Sequence, residues 1–364
     1  MAYFDHNATA PVSSEVADAV VNSLKTYGNP SSVHAEGRIA RAAVEMAREE
    51  VAQLVGAKSK NVIFTSGATE ANNQVLRGCG RLHVLASAIE HPSVLEMVPD
   101  DNQIPVSADG VTDMDALSGV LMQRGTSVVV SVMAANNESG VIQPIKRSAE
   151  IAHFAGALFH CDAVQAIGRI PFDMELLGID MATISAHKIG GPKGVGALIL
   201  ADGIKIDRFI CGGGQERRYR GGTENVAGIA GFGVAAKQAA ERLSTISRVE
   251  KLIRLLERRA LAAVPDAVVI GEKVPRIGNT SLIALPRVDA ETQIMALDLA
   301  GVYVSAGSAC SSGKVAESHV LRAMGVDHAV SRCAIRISLG FENTLQEVDK
   351  FIEVWSGLAR RRGE

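Results

Sequence analysis

From about residue 62 to residue 200, short apolar runs alternate with amphipathic or turn-plus-helix segments, and this alternation limits the possible folds more than any other feature of the chain. Strands are predicted over 62–65, 83–87, 104–106, 128–133, 158–161, 181–185 and 195–200, with the clearest helical patterns between them at 114–122 and 145–156. Strand–helix alternation of this kind predicts an α/β fold, a mainly parallel sheet covered on both faces. The last two runs are joined by a glycine turn in place of a helix, which predicts one antiparallel strand. An alanine- and glutamate-rich helix precedes the block at 35–55, and helical periodicity follows it over 225–263. Beyond that, strands at 267–270, 281–285 and 334–338 interleave with helices at 290–300, 317–324 and 345–361. The change of pattern places a boundary near residue 250, between a large unit (1–250) and a smaller α+β unit (251–364).

Composition narrows the class. Of 364 residues, 47% are hydrophobic and 21% charged, enough to build a large core without disulfides. A net charge of −3 gives no electrostatic case for nucleic acid. The five cysteines are odd in number and form no CxxC pair, which argues against a disulfide framework or zinc site and for a reducing, cytoplasmic setting. The N-terminal residues have no signal-peptide character, and no apolar run approaches the roughly 18 residues of a membrane span.

The chemistry concentrates at predicted strand ends, where α/β sheets bind ligands. In Ser185-Ala186-His187-Lys188-Ile189-Gly190-Gly191 a lysine follows an apolar strand. Partial desolvation there lowers an ammonium pKa and frees an amine to attack aldehydes, the requirement of a pyridoxal phosphate (PLP) enzyme. Lys193, inside Gly-Pro-Lys-Gly, is the weaker competitor. Thr65-Ser66-Gly67-Ala68-Thr69-Glu70 opens a helix and reads either as a phosphate seat or as a plain capped turn. His91 is placed to stack on a cofactor ring or to cap a helix. Asn136-Asn137 offers amides for a phenolic oxygen or forms an Asx turn. Asp162 suits a pyridinium nitrogen, with Gln165 reaching the same ring, although an acidic strand end also serves as a helix cap. The glycine- and arginine-rich stretch from Gly212 to Asn225 reads as an anion-binding loop or an ordinary exposed one. Cys310 lies in a run of small residues, where a thiol is accessible, unlike a structural cysteine packed among bulky groups. Arg336, alone on a strand, needs a carboxylate, either a substrate's or an internal one.

Taken in order, these motifs resemble the cysteine desulfurases of the NifS/IscS type. The likeness covers nearly the whole chain: Tyr3-Phe4-Asp5-His6-Asn7, Gly28-Asn29-Pro30-Ser31-Ser32, Phe64 to Glu70, Glu90-His91, Asn136-Asn137-Glu138, Asp162 with Gln165, His187-Lys188, Arg220 to Asn225, Gly307 to Cys310, and Arg336. The wording around Gln215-Glu216-Arg217 and Thr223-Glu224-Asn225 leans toward the nitrogen-fixation branch.

The resemblance implies the type I PLP-dependent transferase (aspartate-aminotransferase-like) fold, and a homodimer with its sites at the interface. It implies that Lys188 carries the cofactor, Asp162 pairs the ring nitrogen and His91 stacks on the ring. Asn137 and Gln165 sit near the phenolic oxygen, with Asn137 also at the substrate. Ala68, Thr69, Ser185 and His187 bind the phosphate, joined by Thr223 from the other subunit. Arg336 holds the substrate carboxylate. L-cysteine becomes L-alanine, and Cys310 takes the sulfur as a persulfide for an iron–sulfur scaffold or other acceptor protein. No intrinsic metal is implied; the nearest approach is Cys310 as a transient cluster ligand shared with a scaffold. Nitrogenase maturation, general iron–sulfur assembly and tRNA thiolation stay open as destinations. Selenocysteine lyase, or another PLP enzyme of this fold, is the alternative. Ala10, Ala186 and Ala306 depart from residues usual in the family, and none removes a catalytic group. The chain also ends soon after Leu358, short of the tail with which some relatives dock a scaffold.

Overall fold

In the computed structural model, which describes residues 1–124, 126–307 and 317–361, the strands run in chain order β1 (Ala2–Tyr3), β2 (Val62–Thr65), β3 (His83–Ser87), β4 (Gln103–Ile104), β5 (Val128–Ser131), β6 (Leu158–Asp162), β7 (Met181–Ser185), β8 (Gly196–Leu200), β9 (Val268–Val269), β10 (Thr280–Ala284), β11 (Val302–Tyr303), β12 (Ser305–Ala306) and β13 (Ala334–Ser338). The alternating block becomes a seven-stranded sheet of order β2-β8-β7-β6-β5-β3-β4. From β7 to β4 all pairings are parallel. The strand β8 runs antiparallel to both its neighbours, as its glycine-turn connection requires. Its central strands are buried on both faces, β5 being Val-Val-Val-Ser with every residue buried, because helices cover each side.

Two departures from the predicted elements have physical causes. The periodicity over 225–263 is two helices, Val226–Arg242 and Ser247–Ala263, separated by a 3-10 turn at Leu243–Thr245. The first packs Ile229, Phe232 and Ala236 into the core of the large sheet; the second packs Val249, Ile253 and Leu256 into another core with Phe351 and Trp355. One straight helix cannot face both. The helix Ser14–Leu24, capped by Ser13 Oγ accepting from Val16 N at 3.3 Å, gave no sequence expectation.

The second core lies on the antiparallel sheet β12-β13-β10-β9. The N-terminus belongs to it: β1 pairs in parallel with β11, and Phe4 is fully buried 6.2 Å from the ring of Phe351. From there the chain crosses directly into the large unit.

Among the described residues the outer edge of β2 has no neighbouring strand. An ion pair takes that place: Arg48 Nη1 donates to Val62 O (2.8 Å), and Phe64 N donates to Glu216 Oε2 (2.9 Å). The two side chains meet at 2.7 and 2.9 Å, both almost wholly buried. Satisfying an exposed edge this way blocks pairing with another chain. The cost is backbone strain, since Glu216, Arg217 and Arg218 all have left-handed φ (41°, 53° and 71°) without being glycine. Glu216→Ala leaves the Phe64 N–H unpaired and the buried Arg48 guanidinium with only the exposed Glu45 carboxylate, 3.2 Å from its Nε. Denaturant unfolding should show a loss of about 3–5 kcal/mol; a loss under about 1 kcal/mol would show that the pair does not hold this edge.

Candidate active site

The carboxyl ends of the parallel strands open onto a cleft of about 680 Å³. Ala68 and Thr69 follow β2, His91 follows β3, Asn137 follows β5, and Asp162 ends β6 with Gln165 beyond it. Ser185 ends β7, with His187 and Lys188 on the next turn, and Arg336 enters from β13 of the other sheet; all line this one cleft. Thr223 is exposed and is not among the residues lining it. Lys193 also reaches the rim but is exposed. Cys310 lies outside the described residues, and Gly307, the last described residue before it, lines the cleft.

Lys188 Nζ donates to two backbone carbonyls, Asn7 O at 2.6 Å and Ala8 O at 3.0 Å, and keeps a third direction for the cleft. Burial is the main cause that lowers its pKa from 10.5 to about 8; the charges of Arg169 and Arg336 push the same way, and Asp162 and Asp5 oppose them. The free amine is therefore far more populated near neutral pH than in an ordinary exposed lysine. Behind it His187, desolvated and next to Lys188, is lowered to about 4 and stays neutral. Among the described residues its buried Nδ1 has no partner.

Asp162 is held on both oxygens: Asn72 Nδ2 donates to Oδ2 (2.9 Å) and Val164 N to Oδ1 (3.0 Å). Each oxygen keeps a lone pair for a further donor. Arg336 Nη2 donates to Asp5 Oδ1 (2.7 Å) and Nη1 to Asn137 O (3.0 Å), while its buried Nε has no partner. Of the two expected partners the structure shows the internal one, Asp5, and Arg336 lines the cleft. His91 likewise caps a helix, its Nδ1 accepting from Ser93 N at 3.1 Å, while its solvent-open edge faces the cleft. The adjacent asparagines differ in place. Asn136 makes the Asx turn, its Oδ1 accepting from Glu138 N and Ser139 N, and Asn137 stands at the cleft wall.

The helix Ala68–Gly78 has no side-chain cap of its own, so its first N–H groups face the cleft unsatisfied. Gly196 lets that turn approach: a Cβ there would lie 2.8 Å from the Gly67 backbone. Arg220 Nε donates to Glu70 Oε1 (3.0 Å), and Ser66 N donates to Glu70 Oε2 (2.8 Å), which ties the arginine-rich loop to the helix start.

These observations fit PLP. An amine poised for an aldehyde, a carboxylate able to accept from a ring N–H, an unsatisfied helix N-terminus for a phosphate and a buried orphan imidazole atom share one cleft. Sequence reasoning gave no role to Asn7, Asn72 or Arg169. The only local signal was for Asn72: the helix Ala68–Gly78 buries Glu70, Asn72 and Gln74 beside its apolar residues, and buried polar groups need partners.

The aminotransferase class-V family model matches residues 2–351. A cysteine desulfurase of Cereibacter sphaeroides is 42% identical over 97% of this chain and 94% of its own. A cysteine desulfurase IscS of Methanosarcina thermophila is 38% identical over 97% and 90%. The X-ray structure of a NifS-like protein from Rickettsia africae ESF-5 superposes with a TM-score of 0.92 at 37% identity, covering 99% of each chain.

The lowered lysine pKa has a consequence for stability. Between about 8 and 10.5 the unfolded chain holds a proton on Lys188 that the folded chain has lost. Stability from this group therefore rises with pH through that window and is least below it. In the cofactor-free protein, Lys188→Met should raise the melting temperature most near about pH 7, with the gap narrowing toward about pH 10. A gap independent of pH would show that the amine is not desolvated.

Proposed function

The chain belongs to the aminotransferase class-V family, among its cysteine desulfurases, and from that premise we propose the roles its residues take in converting L-cysteine to L-alanine with sulfur passed to Cys310. It is a PLP-dependent enzyme with the type I PLP-dependent transferase fold. When bound, PLP supplies an electron sink for the bonds around the substrate Cα.

The observation that carries the residue assignment is the partly desolvated Lys188 amine facing a cleft that also presents Asp162 and Arg336. Lys188 would hold the cofactor by its aldehyde, and its amine is the base placed to take the proton from the substrate Cα. Asp162 accepts from the ring N–H, fixed for that by Asn72. The N–H groups of Ala68 and Thr69, with Ser185 and His187, hold the phosphate. His91 covers the ring face, and Asn137 and Gln165 stand toward the phenolic oxygen. Arg336, on the cleft wall, holds the substrate carboxylate. The Cys310 thiolate attacks the substrate sulfur; an S–S bond forms, and the Cβ–S bond breaks with its electron pair going to carbon. Cβ then takes a proton and leaves as the methyl group of L-alanine.

The sulfur goes on to a scaffold or other acceptor protein for iron–sulfur cluster assembly, in the cytoplasm. The working form is a homodimer in which the exposed Thr223 reaches the second copy's phosphate. The units 1–250 and 251–364 act as cofactor-binding and cysteine-carrying halves. Among the described residues no helix is long and apolar enough to cross a membrane, and no cluster of metal-ligating side chains is present.

Purified wild type should be yellow and release alanine from L-cysteine. Cys310→Ser should keep the colour and the spectral response to L-cysteine but retain under about one per cent of the alanine release. A yellow variant with full alanine release would reject the persulfide step and favour a lyase acting on selenocysteine.

A further inference from the structure

Arg169 is 7% exposed, and among the described residues it has no carboxylate at ion-pairing distance. Arginines are rarely buried without a partner. Its donors go to neutral oxygens alone. Nη1 donates to Gln165 O (3.1 Å) and to the Gln165 side-chain Oε1, and Nη2 to His6 O and Lys188 O (both 3.4 Å). Guanidinium carries donors and no acceptor, so it dictates which end of the Gln165 amide it meets. With Oε1 turned to Arg169, Nε2 points the other way and donates to Asn7 O at 3.1 Å. That same carbonyl accepts from Lys188 Nζ at 2.6 Å. One chain of contacts thus runs from Arg169 through Gln165 and the Asn7 carbonyl to the amine.

We propose that Arg169 is a positioning residue for Lys188: its uncompensated charge favours the neutral amine, and its donors fix Gln165 and the Asn7 carbonyl that aim that amine into the cleft. The inference rests on the reading of Lys188 as the cofactor-bearing lysine and adds a residue that touches neither cofactor nor substrate. The other charged groups around Lys188 are Arg336, which adds to the effect, and Asp162 and Asp5, which oppose it, with His187 and His91 beside it. On the far side Arg169 faces His6, itself desolvated and lowered to about 4, so no titration there compensates it near neutral pH. Arg169 is the charge that acts most strongly on the amine, and leaving it unpaired preserves that action.

The test is competitive acetylation of Lys188 by acetic anhydride in the full-length, cofactor-free chain across a pH series, read by peptide mass spectrometry. Wild type should show a midpoint near 8. Arg169→Met should move it up by about one unit, so that labelling near neutral pH slows about tenfold. Arg169→Lys keeps the charge and should stay close to wild type. Gln165→Glu, nearly isosteric, gives Arg169 a carboxylate and should raise the midpoint at least as far as Arg169→Met, which keeps the test sharp if the methionine variant does not fold. An unmoved midpoint in Arg169→Met or Gln165→Glu would overturn the proposal, as would Arg169→Lys shifting as far as Arg169→Met, which would point to packing alone. Labelling requires no desulfuration. Failure of the Cys310 step would leave these midpoints standing, and failure here would leave the Cys310 result standing.

Discussion

Keeping one amine partly out of water is the constraint around which the rest is arranged. Lys188 meets the cleft where two cations, Arg169 and Arg336, and two anions, Asp162 and Asp5, surround it. Desolvation alone makes a lysine neutral but leaves it without direction. Two backbone carbonyls, of Asn7 and Ala8, supply the direction. Carbonyls orient an amine in either protonation state, whereas a carboxylate in contact would favour the ammonium form. Two ion pairs stand at the same cleft: Asp5 with Arg336 and Glu70 with Arg220.

That arrangement requires both cores. The amine and the carboxylate of Asp162 come from the parallel sheet, Arg336 from the antiparallel one, and the carbonyls from the N-terminal segment that links them. This segment begins in the second core through Phe4 and β1 and reaches the large unit within a few residues. Asn7 Nδ2 donates to Thr280 Oγ1 (2.9 Å) in β10 while its carbonyl receives Lys188 and Gln165. A shift between the cores would thus move the amine and Arg336 relative to each other. Near the same junction Glu138, whose carboxyl is raised by burial, accepts from Ser318 Oγ at 2.6 Å. A Cβ on Gly307 would come 2.4 Å from the same Oε2. Glu138 thus stands at both described ends of the segment that contains Cys310.

How much could be read without the structure depended on how local each signal is. The seven strands of the large sheet were legible because continuous apolar runs between helical patterns have few other uses, and Lys188 and Asp162 were legible because each follows such a run. The two-residue strands β4 and β9 overlap runs that were predicted, whereas β1, β11 and β12 were not predicted. His91, Asn136-Asn137 and Arg336 each admitted two readings; the folded chain shows the helix cap, the Asx turn and the internal ion pair, and sets His91, Asn137 and Arg336 at the cleft. Arg169 carried no signal, because an arginine after a turn reads as exposed unless the burial around it is known.

The sequence by itself determined the strand–helix alternation of the large sheet, the reversed strand β8 and the family of motifs at the strand ends. These follow from residue type and spacing along the chain. Only the tertiary structure decided that the N-terminal segment supplies the carbonyls for Lys188, that Asn72 fixes Asp162, that an ion pair closes the edge of β2, and that Arg169 is buried without a counter-charge. Each of these joins residues far apart in the chain, and a pattern of neighbours holds no information about which distant carbonyl, amide or charge will stand beside a given amine.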